Sequence, residues 1–188
     1  VGAMLDYIRD TQKKDISYIN KLSLYSNGQY LELDVNTRRN LELTESLRTK
    51  EKKGTLLWVL DKTRSSIGAR LLRKWIEHPL INESKIVRRQ NAVDEFYNNF
   101  MLREQISELL DQVLDLERLM TKIVYGTANA RDLRAVANSI RVLPELKRLI
   151  SDCTSNEMQS IYEELDTLED VRSLIDASIS EDAPLTVR

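Results

Sequence analysis

From Ile67 to Ile175, apolar residues return at intervals of three and four, which places them on one face of a helix with 3.6 residues per turn. Ile67, Leu71, Leu72, Trp75 and Ile76 make one such stripe, expected to be buried. Ile86, Val87, Val93, Phe96 and Tyr97 make a second, and Leu133, Val136, Ala137 and Ile140 a third. Met158, Ile161, Leu165, Leu168, Val171 and Ile175 continue the pattern. Only 5 glycines and 3 prolines interrupt 188 residues, so the chain must stack helices on one another.

Polar residues divide this pattern into separate helices. Asp34, Thr55, Ser65 or Ser66, and Asn82 stand where a side-chain oxygen can accept the first free backbone N–H groups. Helices are expected from about Met4 to Lys13, from Val35 to Leu47, over Leu56–Leu60, and from Ser65 or Ser66 to Pro79. Others follow near 101–110 and 115–125, the latter closed by Gly126; Thr127 or Asn129 opens the next and Pro144 another. Thr167-x-x-Asp170 marks a break in the last stripe. One segment reads differently. Leu22–Ser26 and Gln29–Leu33 flank Asn27-Gly28, the pairing of a tight β-hairpin turn. The fold class expected is mainly α, a multi-helix bundle with one N-terminal hairpin over about residues 22–33.

Several function classes drop out. The apolar run Leu56–Leu60 is five residues long, against about twenty for a bilayer span. Asp6, Arg9 and Asp10 interrupt any apolar h-region, so no signal peptide is expected at this start; the single cysteine, Cys153, excludes an intrachain disulfide and suits the cytoplasm. The chain lacks the spacings G-x-x-x-x-G-K-[ST] and G-x-G-x-x-G. His78, the only histidine, precedes Pro79 and reads as a residue facing a helix C-terminus. Cys153 has only Asp152 beside it, which raises a thiol pKa. Glu163, Glu164, Asp166, Glu169 and Asp170 read as a solvated face. No catalytic residue, metal ligand or cofactor is assigned.

Charge is uneven. Residues 34–90 carry 14 basic and 7 acidic side chains, whereas residues 91–188 carry 10 and 19. Arg70, Arg73 and Lys74 share a helix face, as do Lys85, Arg88 and Arg89, and these six are the candidate phosphate contacts. A solvated or internally paired face is the commoner fate of such charges. Arg38 and Arg39 follow a cap, where positive charge opposes the helix dipole unless a phosphate, or internally the carboxylate of Asp34 or Glu42, answers it.

Several strings taken together resemble the MutS family of DNA mismatch-repair ATPases. They are Leu31-Glu32-Leu33-Asp34-Val35-Asn36-Thr37-Arg38-Arg39-Asn40-Leu41-Glu42-Leu43, Thr55–Thr63, Gly68-Ala69-Arg70-Leu71-Leu72-Arg73-Lys74-Trp75, and Pro79-Leu80. Arg89-Gln90, Asp115-Leu116-Glu117-Arg118 and Arg131-Asp132-Leu133 continue in the family's order. The resemblance implies a single core domain over residues 1–188, with residues 1–20 leading in from a connector domain and long lever-like helices. It implies part of a larger cytoplasmic protein, ending before a DNA clamp insertion, with mismatch reading and ATPase in other domains. ATP and magnesium, mismatched duplex DNA, a second subunit and a downstream protein of the MutL type belong to that whole protein; no membrane is involved.

The family's Phe-x-Glu reader and phosphate loop have no counterpart here, so the expected role is mechanical and not enzymatic. Two supports are expected: a polar network of Asp34, Arg38, Arg39 and Glu42, and a helix crossing packed through Gly68, Leu71, Leu72 and Trp75. On that expectation Trp75→Ala opens a cavity costing about 3 kcal/mol. The alternatives are a superfamily relative acting in recombination and an unrelated helical protein-interaction module.

Overall fold

Short polar side chains set where the helices begin. In a computed structural model, which describes residues 2–12 and 27–183, eleven α-helices are present among the described residues. They are α1 (Gly2–Gln12), α2 (Val35–Asn40), α3 (Leu56–Leu60), α4 (Ser66–Glu77), α5 (Glu83–Asn98) and α6 (Phe100–Asp111). Then come α7 (Leu116–Val124), α8 (Ala130–Ile140), α9 (Leu143–Ile150), α10 (Asn156–Glu164) and α11 (Glu169–Ser178). Asp34, Thr55, Ser65, Asn82, Asn99, Asp115 and Asn129 each accept a backbone N–H in the first turn that follows. Asn129 and Asp132 form a reciprocal capping box.

Among the described residues, the second arm of the hairpin expected over 22–33 forms no strand of its own. Asn27–Gln29 make a 3-10 turn, and Tyr30 pairs with Leu80 in an isolated antiparallel bridge. The Leu31 N–H donates to the Pro79 carbonyl (2.8 Å), and the Ile81 N–H to that of Gln29 (3.4 Å). The backbone of the expected second arm therefore pairs with the segment after α4. Proline stops α4 there and leaves its carbonyl open to a distant partner. The expected first arm, Leu22–Ser26, lies outside the described residues.

Two further expectations change. The helix expected over Val35–Leu47 ends at Asn40. Glu42 turns left-handed (φ 46°) and Leu43 leaves the helix for the interior, where the Leu57 N–H donates to its carbonyl (2.9 Å). Burial of Leu43, together with the backbone bond to Leu57, overrides the local helical pattern. Nor are the helices of the described residues long: the longest among them, α5, has 16 residues, about 24 Å.

From α5 onward the chain packs around two apolar clusters. α5, α6, α9 and α10 enclose Ala92, Ile150, Cys153 and Met158, with Phe96, Leu102, Ile106 and Leu165 against them. α7, α8 and α11 enclose Val136, Ala137 and Ile175, with Leu116, Leu119, Ile123, Leu133 and Ile179. Buried Ser139 on α8 donates to the Ala135 carbonyl and accepts the Leu114 N–H (3.1 Å), fixing the entry to α7. The break expected near Thr167 is present, but Thr167 does not cap α11. Leu168, left-handed at φ 51°, precedes that helix, and the Asp166 carboxylate holds its N–H (2.9 Å).

Candidate functional site

The six candidate phosphate contacts are mostly engaged inside the protein. α4 carries Arg70 toward the start of α7, where its guanidinium grips Asp115 with two parallel bonds (2.7 and 2.9 Å). Its Nε meets Glu117 at 2.6 Å. The Arg70 guanidinium holds the Asp115 carboxyl below the usual range, helped by the Arg118 N–H, and Asp115 in turn raises the arginine. Arg73 pairs with Glu77 one turn on (3.0 Å) and lies 3.5 Å from Glu45. Lys85 donates to the Gln29 side chain (2.9 Å).

Arg88 reaches from α5 to α10. There it meets Glu157 (2.5 Å), the Ser160 hydroxyl (2.7 Å) and the Asn156 carbonyl (3.2 Å). The Arg89 guanidinium lies 3.7 Å over the Trp75 ring, a cation–π contact joining α4 to α5. Lys74 is exposed on α4. The six thus scatter among different partners instead of forming one displayed patch.

The expected polar network takes another form. The Asp34 carboxylate accepts the Thr37 N–H (2.6 Å), which chiefly lowers its pKa, with a smaller part from the Arg38 charge. Arg38 Nε donates to the Leu33 carbonyl (2.8 Å), and Glu42 accepts the Leu47 N–H (2.6 Å). Asp34, Arg38 and Glu42 therefore fasten to backbone, not to one another. Because α2 has only six residues, Arg38 and Arg39 fall in its last turn, where positive charge complements the dipole instead of opposing it. Arg38, Arg39 and Lys50 line a 320 Å³ hollow with Val35, Ser46 and Leu47.

The expected buried crossing on α4 is open in this structure. Leu71 is 47% exposed and Trp75 40%, while Leu72 and Ile76 are half-buried. A side chain added at Gly68 meets Ser65 Oγ (3.2 Å) and Thr63, so the glycine accommodates its own helix entry, not a neighbouring helix. Trp75 instead walls an open groove of 730 Å³ with Pro79, Leu80, Ile86, Arg89 and Val93. His78 closes α4 as expected, its Nδ1 3.2 Å from the Lys74 carbonyl.

Two ties escaped the sequence reading. Glu95 on α5 reaches the start of α10, where its carboxylate accepts the backbone N–H and hydroxyl of both Thr154 and Ser155. Partial burial pushes the Glu95 carboxyl up, but these four bonds together hold it below its ordinary value. Ser155 precedes α10 without capping it because its hydroxyl is given to Glu95. No local pattern announces a cap supplied from 60 residues away. Arg134, in contrast, stands three residues before buried Ala137, so helical spacing already turned it inward. It is 7% exposed and meets Asp176 (2.6 Å), binding α8 to α11.

The Cys153 thiol is buried and pushed up by burial first, then by Glu95 and Asp152. Among the described residues, no three or more His, Cys, Asp or Glu side chains are placed to hold a metal ion. No helix of the described residues is long and apolar enough to cross a membrane.

Packed helices cross-tied by ion pairs define a helical domain. The MutS domain III family model matches residues 36–188, and the chain belongs to the MutS family as that domain. Relatives named DNA mismatch repair protein MutS align along all of it. Those from Caldicellulosiruptor saccharolyticus and Acetivibrio thermocellus are each 49% identical, and that from Ruminiclostridium cellulolyticum is 50% identical. The chain covers 22%, 22% and 21% of their respective lengths, about a fifth of each. Family membership sets aside the reading as an unrelated interaction module.

Proposed function

We propose that this domain is the mechanical coupler of a DNA mismatch-repair protein, linking mismatch recognition in one part of the molecule to an ATPase in another. It performs no chemistry of its own. The observation that carries this reading is the engagement of Arg70 by Asp115 and Glu117. Two strings that resemble the family, Gly68–Trp75 and Asp115–Arg118, meet there through side chains, and the charge is spent on joining helices. Packed helices suit such a role because their backbone bonds are internally satisfied and their interdigitated faces resist shear.

In the whole protein, mismatched duplex DNA, ATP with magnesium, a second subunit and a MutL-type partner engage other domains, in the cytoplasm. Asp34, Arg38, Arg39 and Glu42 act as the support at the entry to α2, and Gly68, Leu71, Leu72 and Trp75 as that along α4. The names of the relatives favour repair over recombination for the parent.

Arg38→Ala and Trp75→Ala in the full-length protein test the coupling. Expected is ATP turnover that no longer responds to a mismatch, while basal turnover and mismatch affinity persist. Stimulation equal to that of the parent would overturn the proposal.

A further inference from the structure

The two ends of α4 are fastened by different chemistry. At its C-terminal end, the Tyr30–Leu80 bridge, the Leu31–Pro79 bond and the stacking of Arg89 on Trp75 hold it close to the start of α5. Toward its N-terminal end the ties to the rear helices are ionic. Arg70 grips Asp115 and Glu117, and Arg64 lies 3.8 Å from Asp111 at the end of α6. Arg118, itself 3.4 Å from Asp115, competes for the same carboxylate. Neither apolar cluster formed by the described residues takes in a residue of α4. Arg70 and Glu117 are well exposed, so water and salt reach the pair.

We propose that Arg70 with Asp115 and Glu117 is a reversible ionic latch that sets the angle of α4, and of the residues 30–65 before it, against the rear helices. The pivot lies at Pro79, nine residues beyond Arg70, about 13 Å along the helix axis. Opening the latch separates charges without uncovering an apolar core, so the closed and open arrangements lie close in free energy. Screening weakens such exposed pairs. Ionic strength, or an anion taking the guanidinium, therefore shifts the balance toward the open form. The coupling role proposed above gives this joint a use, but its existence does not depend on that role.

Two spin labels on the 188-residue chain report the angle, one at Lys53 in the exposed loop before α3 and one at Gln159 on α10, with Cys153→Ala to keep the native thiol unlabelled. At low salt the latched chain shows one narrow distance population. Arg70→Gln broadens and displaces it by more than its width, and salt does the same to the parent while leaving Arg70→Gln unchanged. Glu77→Gln, which breaks an ion pair within α4, leaves the distance alone. Identical distributions for parent and Arg70→Gln at both salt levels would overturn the latch. So would a salt-induced shift in the parent accompanied by loss of helical circular dichroism, which marks melting of α4. A failure here leaves ATPase coupling in the full-length protein as a separate question.

Discussion

Residues 30–80 and residues 83–183 are both helical, yet they are held together differently. The rear part surrounds two apolar clusters with two groups of packed helices, α5, α6, α9 and α10 about one and α7, α8 and α11 about the other. The front part buries only Leu43, Thr55 and Leu57 among its described residues, and neither apolar cluster takes in one of its side chains. Its remaining ties are capping bonds, one β-bridge, a stacked arginine and ion pairs. The rear part carries its own stability, whereas the front part is positioned by contacts that geometry or solvent can change. The coupling role proposed above calls for one part of each kind: a body that does not deform and an arm whose angle does.

The contrast sharpens under mutation. Ile150→Ala, at a 3% exposed position in the rear, is expected to destabilise the chain by about 3 kcal/mol, through lost burial and the cavity left behind. Urea denaturation checks it, and an unchanged midpoint would erase the distinction between the two parts. Arg134→Ala comes next, at about 2 kcal/mol, because it strips the ion pair that joins α8 to α11. A loss of that size with the α5–α6–α9–α10 side still protected from hydrogen exchange would place the damage in one cluster.

Glu95→Gln should cost about 1 kcal/mol at neutral pH, the usual scale of a lost cap. Its pH dependence has a fixed sign. The folded carboxyl lies below its unfolded value, so its stabilisation is complete above the unfolded pKa of about 4.3 and fades as pH falls through the lower folded value. Denaturation midpoints of parent and Glu95→Gln should therefore converge in acid, and a gap that widens there would contradict the cross-helix cap. Trp75→Ala is expected to cost least, under about 1 kcal/mol, since the ring is 40% exposed and leaves no closed cavity. A loss near 3 kcal/mol would show the indole enclosed in solution and bring the front closer to the rear in kind.

Helix starts were legible because a cap is a local event: Asp34, Asn82 and Asn129 act within three residues of themselves. Helix ends and partners were not, because they are settled by distant residues. Periodicity carries α2 through Leu47, but Leu43 turns inward to a backbone bond with Leu57 and the helix ends early. Asn27-Gly28 carries a turn signal, but Gln29–Leu31 find their backbone partner fifty residues away at Pro79–Ile81. The stripe on α4 showed which side chains share a face, not whether anything covers them. Charges behaved alike: spacing singled out Arg70, and only the fold brings Asp115 and Glu117 to it.

The claim that Arg70, Arg73, Lys85, Arg88 and Arg89 are engaged within the protein meets its most direct test in DNA binding by the chain itself. Fluorescence anisotropy with matched and mismatched duplexes, at low and at moderate salt, reads it. A coupling domain predicts weak binding, equal for both duplexes and abolished by salt, because only scattered phosphate contacts are open to it. A mismatch preference that survives moderate salt would contradict this, placing a DNA-reading surface within the helices described here.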